Sequence, residues 1–344
     1  SGSGERGVFN RQGVLNQLPL RRKKVKFGTN PCSEIILKSW EFCNLTISIA
    51  RNTDTVHDLE RKVKLATYFG VLQSTCTKFN YIRPEWKINC EEERLIGVDI
   101  TGQADSPLLR YGASGRAELL RHLKGVVTTT RKELASRFGI PDSAADTTVK
   151  PGGDSSVLFD CSSGISTRFA DYQIRWVRES VHSPVCKFMK DEGVPWAVAP
   201  EDPSLVVFAF PKKSPEGSTK RNDLTAIQQF ENWLEWKKEW AEHSVSCTVY
   251  VEPHEWFELG EMVYRHFDDV TCVSFLPKDN GIYHYPPNQE ITEEEYNKRL
   301  AEFPSLNWSK LARYETDDET EAAQTYACVG GVCELGPLLA AEYL

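Results

Sequence analysis

The sequence has no apolar run of about 18 residues, so no membrane-spanning helix and no membrane partner are expected. Its first ten residues, SGSGERGVFN, are polar and glycine-rich, which does not fit a secretory signal. No internal repeat recurs. Ten cysteines in 344 residues are too sparse for a disulfide-stapled secreted scaffold, so a cytoplasmic protein with free thiols is expected. Positive charge is also short. With 41 Lys and Arg against 49 Asp and Glu, the net charge is -8, and no nucleic-acid partner is expected. The first residue is Ser1, not Met, so the chain is expected to be a piece of a longer protein or a processed product.

What is present has an ordinary globular balance, 40% hydrophobic and 26% charged, over a length suited to one large α/β domain or two smaller ones. Residues 1–27 read as irregular, and the basic run Arg21 to Lys26 as a solvated turn. Leu59, Val63, Ala66, Phe69, Leu72, Cys76 and Phe79 recur at helical spacing and predict a helix over 58–79, started by Asp58, with Cys76 in the core. A second helix is predicted over 116–138, stopped by Gly139 and Pro141. Further helices are predicted over 171–192 and 223–242, and near 293–303 behind a Thr292/Glu295 capping box. SSVLFD (155–160), LVVFAF (205–210), SCTVYV (246–251) and TCVSFL (271–276) read as strands. Strands alternating with helices predict an α/β fold. From about residue 311 the texture changes to an acidic linker, YETDDETEAAQ, and then YACVGGVCEL. The expected division is a folded part over 1–310 and a flexible tail over 311–344.

Cys328 and Cys333 flank Val-Gly-Gly-Val on that tail. They read as incidental surface thiols, as half of a zinc site with no histidine near, or as a redox pair. The two glycines let the loop close far enough for the sulfurs to meet, which favours the pair. A second constellation is Asn30-Pro31-Cys32-Ser33-Glu34, with Cys43 eleven residues after Cys32. Cys32 could be a small buried residue on a turn with Glu34 facing solvent. Alternatively, a thiol for covalent or radical chemistry, a carboxylate to move a proton and an amide to orient a polar substrate converge. In an extended loop, positions 30, 32 and 34 would project to one side.

NPCSE, Cys43, the stretch Lys150-Pro151-Gly152-Gly153-Asp154-Ser155-Ser156 and the CVGGVC tail together resemble the C-terminal half of an adenosylcobalamin-dependent (class II) ribonucleotide reductase, of the monomeric ribonucleoside-triphosphate type. The resemblance runs over nearly the whole chain. It implies half of a ten-stranded α/β barrel with a finger loop inside. It also implies Cys32 as the thiyl radical that removes the 3′ hydrogen of the ribose, Glu34 as general base for the 3′-hydroxyl, and Asn30 as a holder of the ribose hydroxyls. Cys43 becomes one of two reducing thiols, and Cys328 and Cys333 re-reduce that pair and are reduced by a thioredoxin-like partner. Ser33, Gly152, Gly153, Asp154 and Ser155 fall where the family binds substrate. Glycines there let backbone N–H groups approach phosphate oxygens.

The chain departs from the family's pattern twice. Gly152 stands where a serine is usual, and Ser166-Thr167 follow Gly164-Ile165 where His-Pro is usual. Cobalamin contacts would fall at roughly 190–250 and 280–320, with none of His243, His254 or His284 assigned as a cobalt ligand. The companion of Cys43, the first five strands and the allosteric specificity site belong to an N-terminal half that these residues do not include. The chain is therefore expected to act only with that half, on ribonucleoside triphosphates. The alternative is a non-catalytic remnant or interaction module that keeps the fold. A zinc-binding module is a third reading.

Overall fold

The computed structural model of the chain describes residues 6–278 and 284–315. In chain order the elements are β1 (Arg6–Phe9), α1 (Arg11–Asn16), two short strands β2 (Gly28–Thr29) and β3 (Ile36–Leu37), β4 (Asn44–Ile49), α2 (Val56–Ser74), α3 (Pro84–Glu93) and β5 (Ile96–Thr101). They continue with α4 (Arg116–Phe138), α5 (Gly153–Phe159), β6 (Tyr172–Ser180), α6 (Pro184–Asp191), β7 (Trp196–Val198) and β8 (Leu205–Lys213). The last are α7 (Ala226–Glu239), β9 (Thr248–Val251), α8 (Trp256–Arg265), β10 (Cys272–Pro277), β11 (Asn288–Glu290) and α9 (Glu293–Glu302). They divide into two compact units. The larger is built from the described residues up to Arg175 and from Pro211 to Lys298, the smaller from Trp176–Phe210 and the described residues from Arg299 onward.

The larger unit is organised by parallel strand pairing. β4 runs parallel to β5 from Asn44↔Ile96 to Ile49↔Thr101. Parallel bridges then join Val98 to Thr147 and Val149 to Val245, and β9 runs parallel to β10. The order is therefore β4, β5, the segment around 147–149, the segment 245–251 and β10, with β1 antiparallel on the outside of β10. Parallel strands joined by helical crossovers are buried on both faces, and all six residues of β5 are buried. Helix α2 packs on β4 and β5, and α4 packs on α2, with Leu59, Val63, Leu120, Leu123 and Val127 in the same core. Trp233 and Trp240 are fully buried. Their indole N–H groups donate to Val245 O at 3.0 Å and Thr148 O at 2.9 Å, so burial leaves no polar cost there.

The α/β class and the helix over 116–138 match the sequence reading, with Gly139 in the left-handed conformation at the helix end. Other expectations are corrected. The segment before residue 27 carries β1 and α1, because Asn10 caps α1 through its Oδ1. Helix α2 ends at Ser74, and its N-cap is Thr55, with Asp58, at the third helical position, the partner in a capping box. Phe69, Leu72 and Cys76 are exposed, because α2 turns Leu59, Val63 and Val71 inward instead. SSVLFD is helical in α5, where Gly152 turns the chain and Gly152 O accepts from Ser156 N at 2.9 Å. The helix predicted over 171–192 is strand β6 followed by α6. Alternating Tyr172, Ile174 and aliphatic neighbours suit a strand, and Ser183-Pro184 restarts a helix with Ser183 Oγ accepting from Cys186 N. In the smaller unit, Cys186, Phe188 and Met189 of α6 pack with Val194, Val206 and Phe208.

A tight approach fixes the end of β5. Gly102 has φ +87°, and a Cβ there would lie 2.4 Å from Ala50 O. Gly102→Ala should therefore destabilise the chain by about 2–4 kcal/mol, from left-handed strain plus overpacking. Urea unfolding checks it: the midpoint should fall at unchanged slope, and an unmoved midpoint would contradict this packing.

Candidate functional site

The site is built on a short hairpin. β2 and β3 pair antiparallel, Gly28 with Leu37 and Thr29 with Ile36. Between them the chain turns: Ser33 N donates to Asn30 O at 3.0 Å, with Pro31 at the second position, where its fixed φ is favoured. Ser33 adopts φ +62°, an uncommon conformation for a non-glycine residue. Asn30 Oδ1 accepts from Ile35 N at 3.0 Å, and Asn30 Nδ2 donates to Glu34 Oε2 at 2.6 Å. The amide and carboxylate are thus held together with Cys32 exposed between them. A turn, not the alternation of an extended loop, brings them together.

The hairpin is fastened to the parallel strands through one carbonyl. Glu34 O accepts from Thr148 Oγ1 at 2.7 Å and from Ser244 N at 3.0 Å. Glu34 itself is only 3% exposed, and Ile35 and Ile36 beside it are buried. Phe27 and Ile36 pack with Val14 and Cys272, and Leu37 and Cys43 with Leu95 and Ala145. Cys43 lies just before β4. It comes close to β5 because position 97 is glycine: a Cβ there would sit 2.5 Å from Leu45, 3.1 Å from Ile35 and 3.3 Å from Cys43 Sγ.

Electrostatics under the hairpin follow from burial. The Arg22 guanidinium is fully enclosed, 2.7 Å from Glu93 and 3.5 Å from Glu41, and lies 4.6 Å from the Phe27 ring centre. The basic run is a largely solvated turn, as its sequence suggests, except at Arg22, which is a core cation paired with Glu93. Arg21, too, is engaged, 2.9 Å from Asp146 and 2.5 Å from Glu242. Burial and the nearby Glu93 charge push the Glu41 carboxyl up to about 8. Burial likewise pushes the Cys43 thiol well above the ordinary range, against the pull of Arg22. Cys43 Sγ is 3.9 Å from His243 Nε2, which is also 3.1 Å from Ile96 O. Burial, with Arg22 near, pushes His243 down to about 3, so it is neutral. The geometry assigns the Nε2–H tautomer, donating to Ile96 O.

The strand segment that holds Glu34 at Thr148 runs on to Lys150 and into Gly152. Lys150 N donates to Asp99 Oδ1 at 3.0 Å. Gly152 has φ +69°, and a Cβ would lie 2.9 Å from Gly164 N and 3.1 Å from Thr101 Oγ1. No other residue fits this turn without strain. Gly164 N in turn donates to Thr101 Oγ1 at 2.8 Å. Gly153 and Asp154 are exposed in the first turn of α5, and Ser155 is half-buried. The loop after 164 is fixed by Arg168, whose Nε and Nη2 lie 2.8 Å from the two oxygens of Asp105. Cys328 and Cys333 lie outside the described residues. Sequence reasoning missed Thr148, Ser244, Asp99 and Arg22 as parts of this site, and left His243 unassigned. No local pattern marks them, since they meet the hairpin only through the fold.

The fold is that of the ribonucleotide reductases. The crystal structure of a B12-dependent (class II) ribonucleotide reductase superposes with a TM-score of 0.72 at 19% identity, covering 88% of this chain and 45% of that one. The class Id ribonucleotide reductase alpha subunit of Actinobacillus ureae gives 0.57 at 14% identity, over 80% of this chain and 58% of that one. In sequence, the chain is similar to proteins named adenosylcobalamin-dependent ribonucleoside-triphosphate reductase. The Dictyostelium discoideum protein, named as a probable one, is 27% identical over 83% of this chain and 38% of its own length. That of Lactobacillus leichmannii is 24% identical over 90% and 45%. No protein-family model matches. The chain thus spans less than half the length of these curated relatives.

Asp99 supplies a pH test of the site's geometry. It is fully buried in β5, Oδ2 has no hydrogen-bond partner, and burial raises its pKa to about 7. A carboxyl raised in the folded state is protonated there over a range where the unfolded chain has already lost the proton. Its contribution is therefore fully present below about pH 4 and is lost as pH rises through about 7. In Asp99→Asn that loss disappears. The stability of wild type relative to the variant should fall by about 1.4 kcal/mol per pH unit between about 4 and 7. Parallel urea-stability profiles for the two proteins would contradict it.

Proposed function

We propose that the chain is the catalytic C-terminal segment of a ribonucleoside-triphosphate reductase that works with a companion N-terminal half. The observation that carries this reading is the Asn30–Glu34 clasp with Cys32 exposed at the tip of the same anchored hairpin. In this reading Cys32, as a thiyl radical, takes the 3′ hydrogen atom of the ribose. Glu34 accepts the 3′-hydroxyl proton, and Asn30 orients both the carboxylate and the ribose hydroxyls. The 2′-hydroxyl leaves as water. Two electrons come from Cys43 and a thiol of the companion half, which join in a disulfide. Cys328 and Cys333 reduce that disulfide by exchange, and a thioredoxin-like protein reduces them. The high pKa of Cys43 keeps it a thiol, able to give hydrogen, until it is called upon.

Ser33 and the Gly152, Gly153, Asp154 and Ser155 loop are assigned to substrate. The loop lies at the carboxyl end of a parallel strand, where ligands of such sheets bind. Adenosylcobalamin is the proposed cofactor, and the described residues fit it at one point. The Cys32 thiol is exposed and open to a bulky group, while no metal-ligand cluster occurs among the described residues. When bound, the cofactor would supply an organic radical that takes the hydrogen atom of the Cys32 thiol and leaves the thiyl. The companion half is supported by apolar side chains left exposed, Leu65, Phe69 and Leu72 on α2 and Val157, Leu158 and Phe159 on α5.

The test mixes the full chain with its companion half, adenosylcobalamin, a ribonucleoside triphosphate and a dithiol, and measures deoxyribonucleotide. Cys32→Ser should abolish product, and Glu34→Gln should lower the rate by about 10²–10⁴. Product from an associated pair that survives Cys32→Ser, or no product from the wild-type pair, would remove this reading in favour of a remnant that keeps the fold.

A further inference from the structure

Beyond the Gly152 loop, α5 borders a cavity of about 510 Å³, within the size range of small-ligand sites. Its lining is strongly one-signed: five arginines and lysines against the single carboxylate of Asp154, which is exposed. A larger cavity of about 750 Å³ elsewhere in the same unit is lined by five carboxylates and three lysines, and so has no preference for anions.

Three of the five cations around the smaller cavity are satisfied by close carboxylates. Arg168 holds Asp105, Lys212 is 2.9 Å from Asp160, and Lys278 is 3.1 Å from Glu252. The other two are different. Among the described residues the Arg175 side chain makes only long contacts, 3.4 Å to Pro287 O and 3.4 Å to Asn288 Oδ1, and its Nε has no partner. Burial alone pushes it below the ordinary guanidinium range, with no carboxylate to offset the cost. Arg221 is stacked 3.8 Å from the Phe169 ring centre, its Nε also has no partner, and among the described residues its one ion pair is a 3.4 Å contact to the half-exposed Glu290. A guanidinium stacked on a ring keeps its edge donors free in the ring's plane, the arrangement that grips phosphate. Gln173 lines the same cavity, is 8% exposed, and its Oε1 has no partner. The two half-buried guanidiniums each keep a buried Nε without a partner, as Gln173 does its Oε1, and such atoms call for a polar ligand.

We propose that this cavity receives the terminal phosphates of a ribonucleoside triphosphate, and that Arg175, Arg221 and Gln173 distinguish a triphosphate from a diphosphate. The proposal rests on the reductase reading for the nucleoside end. The Gly152 loop takes the nearer phosphates, and the two arginines answer the charge that only a longer chain carries to them. Gln173 presents its amide N–H to a phosphate oxygen once its side chain turns over.

The experiment titrates the full chain calorimetrically with inorganic tripolyphosphate and with pyrophosphate, independently of any reductase activity. Tripolyphosphate should bind about tenfold more tightly than pyrophosphate, and Arg175→Gln or Arg221→Gln should each remove about that tenfold while changing pyrophosphate binding little. Equal affinity for the two anions, no binding of tripolyphosphate, or binding indifferent to both substitutions would overturn the proposal. Should either arginine variant unfold, Gln173→Glu carries the test, since it keeps the side chain's size and puts a negative charge in the cavity. Tripolyphosphate affinity unchanged in that variant would overturn the proposal as well. Failure of the reductase reading would appear separately, as the loss of Cys32-dependent product.

Discussion

The arrangement depends on one backbone oxygen. Glu34 O is held by a side-chain hydroxyl from one parallel strand segment and a backbone N–H from the next. A hairpin with strands of only two residues is not stable by itself. Its position therefore comes from that pair of hydrogen bonds and from the packing of Ile35, Ile36 and Leu37 beneath it. Everything chemical about the hairpin, the Asn30–Glu34 contact and the exposed Cys32 thiol, inherits its place from the sheet. Groups on rigid elements are held more precisely than groups on free loops.

Burial sets the charge states around this anchor. Arg22 enters the core because Glu93 meets it there at 2.7 Å, and removing either of these two would leave an unpaired buried charge. The same dry surroundings keep Cys43 a thiol and His243 neutral. The platform so formed is apolar and low in dielectric on the side of Cys43, and open at Cys32. One thiol is withheld from solvent and the other is presented, on a single hairpin and the strand that follows it.

Much of this was legible in the sequence, for physical reasons. NPCSE and Cys43 are local, and the turn they form is encoded by Pro31 and the Asn30 side chain. Helix α4 was legible because its stripe and its Gly139 stop agree. The α/β class follows from alternation of elements. What was not legible depends on long-range contact. The polar run Arg21 to Lys26 reads as surface, and it is, except that Arg22 turns inward to Glu93, a partner 71 residues away. Val157, Leu158 and Phe159 look like a buried strand, yet they are exposed on a helix, because the left-handed turn at Gly152 sets the backbone before side-chain burial is decided. Tyr172 to Ser180 has residues compatible with either period, and pairing with β11 decides for strand. Arg175 and Arg221 carry no motif at all. The tail pair Cys328 and Cys333, read from sequence, lies outside the described residues.

The central claim is that Cys32 and Glu34 act together on one ribose carbon. It is tested most directly with the full chain, its companion half, cofactor, a dithiol and a ribonucleoside triphosphate carrying deuterium at the 3′ position. The measurement is the rate of deoxyribonucleotide formation relative to the unlabelled substrate. The account predicts slower product formation from the deuterated substrate, with the difference changing in Glu34→Gln as the proton transfer that accompanies hydrogen removal is weakened. Identical rates for both substrates, in the wild-type protein and in the variant when single turnovers are followed, would contradict it.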